Sequence, residues 1–362
     1  MTASAALAAD AGKQPAYSIV TPYKPSAKPG IPGPYPGRVV SVHAAGSIDE
    51  ASEKVNPDVV REMIAQGMRE LTGDREARDS WARFFTPGDV VGIKVNSSGA
   101  PGICSTPEIV AEIARNLIAL GVRVDNIYAH ERGRRQMDSM HLEQHVPAGV
   151  HVASAADFLG FDPNVYVECN FFGEENTRSN MLRMVSERFT KIINVPNMKD
   201  HGAAGVTGCL KNIAYGEFNN VARSHSKEKT YTYSFIGTLA GVEPLRSKTV
   251  LHIMDGLRGV WHAGPFSPDR RYRFYPKQIK FGTDPVAMDR LLIDVIDNKR
   301  KAEGAISVWE RSMKYYSVDR SKWENDPNVN RFIREPGHIE YATGLGLGVY
   351  DLGKIQNREI RL

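Results

Sequence analysis

The stretch that decides the fold is D-V-V-G-I-K-V at residues 89–95, together with N-S-S-G at 96–99, T-P-E-I-V-A-E-I-A-R-N-L-I-A-L-G at 106–121 and V-D-N-I-Y-A-H-E-R-G-R at 124–134. The first run is short, apolar and β-branched, which predicts a buried strand. Thr106 before Pro107 predicts a helix start, with threonine as N-cap and proline at the first helical position. The apolar spacing carries that helix to about Leu120, and Gly121 closes it. Val124–Ala129 predicts a second strand, ending in His130-Glu131-Arg132. Strand, helix, strand at this spacing is a βαβ unit, so the two strands run parallel. Asn96 and His130 are then expected on one rim of the sheet. The fold class expected is α/β, with a mainly parallel, Rossmann-like sheet, helices on both faces and a second, smaller α/β portion.

Further along, Lys191–Gly216 reads K-I-I-N-V-P-N-M-K-D-H-G-A-A-G-V-T-G-C-L-K-N-I-A-Y-G. Ile192, Ile193 and Val195 predict another core strand, which Pro196 ends for want of an N–H. Lys199, Asp200 and His201 come next, then Gly202, Gly205, Thr207 and Gly208, then Lys211 and Asn212. Ligands of open α/β sheets bind beyond the carboxyl ends of strands. Glycines there let backbone approach a ligand, and successive N–H groups can hold an anion. The expected convergence is Asn96, His130, Lys199, His201 and Lys211 around one crevice.

Upstream, Arg38–Val42 predicts the first strand, and Asn56 caps a helix from about Pro57 to Thr72. Seven prolines between Pro15 and Pro36 forbid a core helix or central strand. Residues 1–37 are thus an extended arm, 38–244 an α/β site-bearing domain, and 245–362 a C-terminal α/β portion with an irregular tail. In that last portion Thr249–Met254 is a strand leading to Asp255, and Ile279–Gly282 leads to Asp284, which reads equally as helix cap or ligand contact. The small-residue start, M-T-A-S-A-A-L-A-A-D-A-G, reads either as the remnant of an export signal, which makes the protein exported or periplasmic, or as a disordered start, which leaves it cytoplasmic.

Hydrophobic residues make up 41% and charged residues 24% of the 362, an ordinary globular balance. A net charge of +4 with scattered basic pairs gives no footprint for nucleic acid. No run approaches the roughly 18 apolar residues of a membrane span. Cys104, Cys169 and Cys209 have no C-x-x-C spacing, so no iron–sulfur cluster is expected. Of ten histidines, His43, His130, His201, His225, His262 and His338 sit beside glycines, charges or strand ends. Two or three of them are candidate ligands for a divalent metal. His252 alternates with apolar neighbours and reads as a core residue. Lys199 is a candidate partner for a substrate carboxylate or phosphate, so the ligand expected is a small anion.

V-N-S-S-G at 95–99, the helix after Thr106-Pro107, N-M-K-D-H-G-A-A-G-V-T-G-C-L-K-N-I, I-M-D-G-L-R-G-V and G-T-D-P-V-A-M-D resemble the "domain of unknown function 362" family over most of residues 90–295. More distantly, His201-x-x-x-Gly205-Val206-Thr207-Gly208-x-x-Lys211 is similar to a stretch of the nickel-pincer lactate racemase family. That similarity implies a racemase- or epimerase-type redox isomerase acting on a 2-hydroxy acid or sugar-derived substrate. It implies His130 and His201 as bases, His225 as metal ligand and Lys211 as the anchor of a nickel-bearing nucleotide. Asn96, Gly205, Thr207, Gly208 and Asn212 would line the cofactor, and Lys199 would assist catalysis. Cys209 stands where that family has a second glycine, and Glu131 comes after His130 where those enzymes tend to have arginine. Two other readings stay open: a metal-dependent hydrolase using Asp255, Asp284, Asp289 and the histidines, and a non-catalytic anion-binding protein.

Overall fold

A computed structural model describes residues 14–158, 160–226, 229–267 and 269–362. The stretch read as an export signal lies outside them. In chain order the principal elements begin with β1 (Arg38–His43), α1 (Pro57–Thr72), β2 (Val91–Val95), α2 (Pro107–Leu120), β3 (Ile127–Glu131) and β4 (His151–Ser154). Next come β5 (Lys191–Val195), β6 (Asn197–His201), β7 (Gly205–Thr207), α3 (Cys209–Glu217) and α4 (Thr232–Ala240). The chain closes with β8 (Thr249–Val260), β9 (Gln278–Gly282), α5 (Pro285–Ala302), α6 (His338–Gly344) and β10 (Gln356–Arg361).

Eight of these strands form the main run of one sheet in the order β10-β1-β9-β8-β5-β2-β3-β4, and β6 and β7 join it off that run. Pairings are parallel except where β9 lies between β1 and β8. The expected α/β class and mainly parallel sheet are therefore present. Strands from both sides of residue 245 hydrogen-bond into this one sheet, with β8 against β5 and β9 against β1.

Parallel strands buried on both faces need apolar residues on both, and β2 and β5 supply them. Ile193 and Val195 point into a core with Val60, Ile64, Ile109, Ile113 and Leu117 from α1 and α2. Ile192 points the other way, into a core with Leu210, Ile213, Phe235, Leu239 and Leu292 from α3, α4 and α5. Truncating one such leucine to alanine costs about 2–5 kcal/mol. Within the arm, Ser18–Val20 pairs with Phe161–Glu168 in a separate three-stranded sheet, and Ile31 is fully buried.

Local signals account for some of the element boundaries and not for others. Asn56 caps α1, its Oδ1 accepting from the backbone of Asp58 and Val59. Thr106 does not cap α2 through its side chain. Its N–H and hydroxyl both donate 2.8 Å bonds to Asp255, whose carboxylate also accepts from Leu257. The strand expected at Val124–Ala129 begins at Ile127 and runs through Glu131, because His130 and Glu131 pair with Ala153 and Ser154 of β4. Pro196 does not release the chain into a loop. The chain re-enters as β6, which pairs with β7 on one side and the outer half of β8 on the other.

Candidate functional site

The hairpin β6–β7 turns through residues 202–204 and returns at Gly205, whose φ of +76° is a left-handed conformation that favours glycine. Its ladder sets Lys199 opposite Thr207 and His201 opposite Gly205. Helix α3 starts two residues later. Its first two N–H groups, of Cys209 and Leu210, are taken by Asp289 at 2.6 and 2.9 Å. Gly208 is required there, since a Cβ would lie 2.1 Å from Asp289 Oδ1. The glycine turn expected to cradle an anion is thus filled by the protein's own carboxylate. Burial raises that carboxyl to about 7, with the two N–H bonds opposing the shift.

Beyond this hairpin opens a cavity of about 1250 Å³. Asn96, His201, Thr207, Lys211, Asn212 and His225 line it, together with Arg132, Tyr215, His262, Phe332 and Arg334. Six of the ten residues expected at the site therefore meet on one wall. The other four are Lys199, His130, Gly205 and Gly208. Lys199 lies behind the wall, fully buried, with its ammonium bonded to Asn96 Oδ1 and the Ser98 carbonyl. From there a hydrogen-bonded chain runs through Asn96, Asn212 and Asn194 to His252. Lys199 thus orients Asn96 rather than meeting a ligand. His130 is also absent from the wall. It is fully buried, bonded through Nε2 to Glu217 at 2.8 Å and packed 4.7 Å from the Phe189 ring. Gly205 packs under Pro336, which a Cβ would meet at 2.9 Å, and Gly208 under Asp289.

Lys211 differs from Lys199 in what surrounds its amine. Its side chain lies on the cavity wall, 4.5 Å above the face of the Tyr215 ring. It has no carboxylate and no hydrogen-bond acceptor among the described residues. Burial lowers it to about 7, with Arg132 and Lys199 adding to the shift.

His201 and His225 stand with ring centroids 5.2 Å apart, and their partners assign opposite tautomers. Nδ1 of His201 accepts from the N–H groups of Ala203 and Ala204 at 3.1 and 3.2 Å. Its proton must then sit on Nε2, making the ring a donor toward the cavity. Nε2 of His225 is buried with no hydrogen-bond partner among the described residues, while the carbonyls of Ala222 and Val221 face the ring's other side. His225 therefore keeps a free lone pair on Nε2. Burial holds His201 well below the usual imidazole range, and Lys211 adds to this. Burial and Lys211 bring His225 down to about 3. Both rings are neutral at pH 7. His338, at the start of α6, is lowered by burial to about 4 and adds to the lowering of His201, but it is not on the cavity wall. His43 is not on this wall.

The aspartates read as hydrolytic metal ligands are committed elsewhere. Asp255 holds Thr106 and Leu257, Asp289 holds α3, and Asp284 accepts from Gly37, Ala287 and Val349. Among the described residues no group of three or more His, Cys, Asp or Glu is placed to hold a metal ion.

Arg334 and the roof around it were not legible as site residues. Asp200 accepts from Gly264 at 2.7 Å and from Arg334 at 3.3 Å. Arg300, 3.8 Å from the same carboxylate, spends its donors on the carbonyls of Trp261, Ile306 and Pro327. Two guanidinium groups thus share one buried carboxylate, an excess of positive charge beside His201. Residues 318–340 carry no sustained helical or strand period, so their place over the cavity depends on partners distant in sequence, such as Arg300.

An α/β sheet with a basic, histidine-bearing cavity beyond its strand ends defines the class. The family model described as "Domain of unknown function (DUF362)" matches residues 91–294. This chain belongs to that family. No curated protein matches it. Among solved structures it is similar to a Thermotoga maritima protein whose crystal structure came from the Northeast Structural Genomics Consortium, at 12% identity and a TM-score of 0.31. That match covers 57% of this chain and 51% of the other, so this chain spans about half the length of that protein.

Proposed function

We propose that the cavity binds a small carboxylate and inverts configuration at its hydroxyl-bearing carbon, as a racemase- or epimerase-type isomerase. The observation that carries this reading is Lys211, a buried amine open to the cavity, lowered to about 7 and lacking any counter-charge among the described residues. An uncompensated buried cation is costly, and near neutral pH such a lysine is a nucleophile or an anion receptor.

The residues fit a metal-bearing pincer-type nucleotide at two points: the free amine of Lys211 and the unpartnered Nε2 of His225. Bound there, such a group would supply a hydride acceptor. This chain's own residues do the rest. His201 donates from Nε2–H to a substrate carboxylate oxygen and holds it against the wall, and His262, which lines the same cavity and is kept neutral by burial, takes the hydroxyl proton as the carbon gives up its hydride. Asn96 and Asn212, fixed through Lys199 and Asn194, present an amide edge that is rigid before the ligand arrives. Tyr215 and Phe332 give the same space an apolar lining. His130, bonded to Glu217 and absent from the cavity lining, has no part in this reading.

The test uses protein purified from its native host. Intact mass and elemental analysis should show an adduct on Lys211 with about one divalent metal per chain. Single enantiomers of 2-hydroxy acids should lose optical purity. Unmodified Lys211 together with unchanged enantiomers would overturn the reading.

A further inference from the structure

The cavity is larger than its inner wall requires. About 1250 Å³ exceeds the roughly 300–1,000 Å³ of pockets that take drug-sized ligands, so room remains beyond a group held at Lys211 and His225. The surplus space lies under a roof made by residues 316–334 and the loop after β8. That roof is aromatic where it meets the cavity. Phe332 stands 6.0 Å from the His225 ring. Phe266 and Val318 line the same space yet are 57% and 71% exposed, forming an apolar lip.

Arg331 lies in this roof with its guanidinium over the rings of Trp323 and Phe332, at 5.4 and 5.0 Å. Among the described residues it has no ion pair and no hydrogen bond. With no acceptor on the described residues, its N–H groups are left for a ligand, and the planar fork matches a carboxylate.

We infer that the ligand of this cavity is a 2-hydroxy carboxylate bearing an aromatic substituent. Its carboxylate meets Arg331, and its ring lies against Phe332 and Phe266. This rests on the carboxylate reading above and names the substrate class of that same site.

The experiment is equilibrium binding by titration calorimetry, which needs no turnover, with 3-phenyllactate, lactate and AMP as probes. Phenyllactate should bind at least tenfold more tightly than lactate. Phe332→Ala should erase that preference, and Arg331→Gln should weaken both acids at least tenfold. Phe332→Leu keeps a large apolar side chain without the ring and guards against a folding loss. It should retain part of the preference. Equal affinity for the two acids, no binding of phenyllactate, or binding indifferent to both substitutions would overturn the inference. So would AMP displacing phenyllactate with higher affinity, since the outer space would then belong to a nucleotide. Preferential binding of phenyllactate without inversion of any acid would leave the ligand class standing and remove the isomerase reading alone.

Discussion

The ends of β3 and β6 both carry a histidine beside charged residues, and they differ in what comes back to meet them. At β3, Glu217 from the far end of α3 bonds His130, and Lys94 from β2 bonds Glu131 at 3.0 Å. Both side chains there have a partner inside the protein. At β6 the hairpin brings backbone N–H groups to one side of His201 and leaves the other side to the cavity. The same contrast separates Lys199, which is bonded to Asn96 and Ser98, from Lys211, which has no such partner among the described residues. A polar residue after a strand marks a site only where no distant segment satisfies it.

The sharpest way to break this contrast is Lys211→Ala. It should abolish ligand binding or lower turnover by at least the 10²–10⁴-fold typical of an essential acid–base group, roughly. The melting temperature should stay within a few degrees, because no counter-charge is left stranded. His201→Ala and His225→Ala should each cost about 10²–10⁴-fold in turnover, read in steady-state kinetics on the substrate that the inversion assay identifies. Near wild-type rates for either would move the chemistry elsewhere.

His130→Ala should do the opposite. It leaves the buried Glu217 side chain without its hydrogen-bond partner, a loss of about 1–3 kcal/mol, visible as a lower urea midpoint. Turnover per folded molecule should hold. A folded His130 variant that has lost activity would show that β3 belongs to the site after all.

A smaller effect is expected from pH. His225, at about 3, and His338, at about 4, lie below their unfolded value of 6.5. The unfolded chain therefore binds protons first as pH falls, and the folded chain does not. Stability should be full above pH 6.5 and decline as pH drops toward 3, by at most about 1.4 kcal/mol per pH unit for each ring. Denaturant midpoints between pH 7 and 4 check the slope, and His225→Asn should make it shallower.

Much of the scaffold was legible because its signals are local. The run Asp89–Val95, the cap at Asn56 and the helix after Pro107 each depend on neighbours a few residues away. Lys211 and His201 were legible as parts of one glycine-punctuated stretch. What escaped the sequence was pairing across long separations. Glu217 reaches His130 over 87 residues, and Asp289 reaches Cys209 over 80. Neither carboxylate differs locally from a solvated one. Arg331 and Arg334 escaped because no period places their segment.

The most direct test of the central claim compares the two lysines chemically. Protein made in a host without any cofactor pathway is treated briefly with a limiting amine-acylating reagent at pH 7, and labelled sites are located by peptide mass spectrometry. With Lys211 lowered to about 7, about half of its amine is neutral at that pH, against fewer than about one in a thousand for an ordinary lysine near 10.4. Lys211 should label ahead of the surface lysines, and Lys199, equally lowered by burial to about 7 but enclosed, should stay unlabelled. Lys211 reacting no faster than surface lysines, or Lys199 labelling alongside it, would contradict the account.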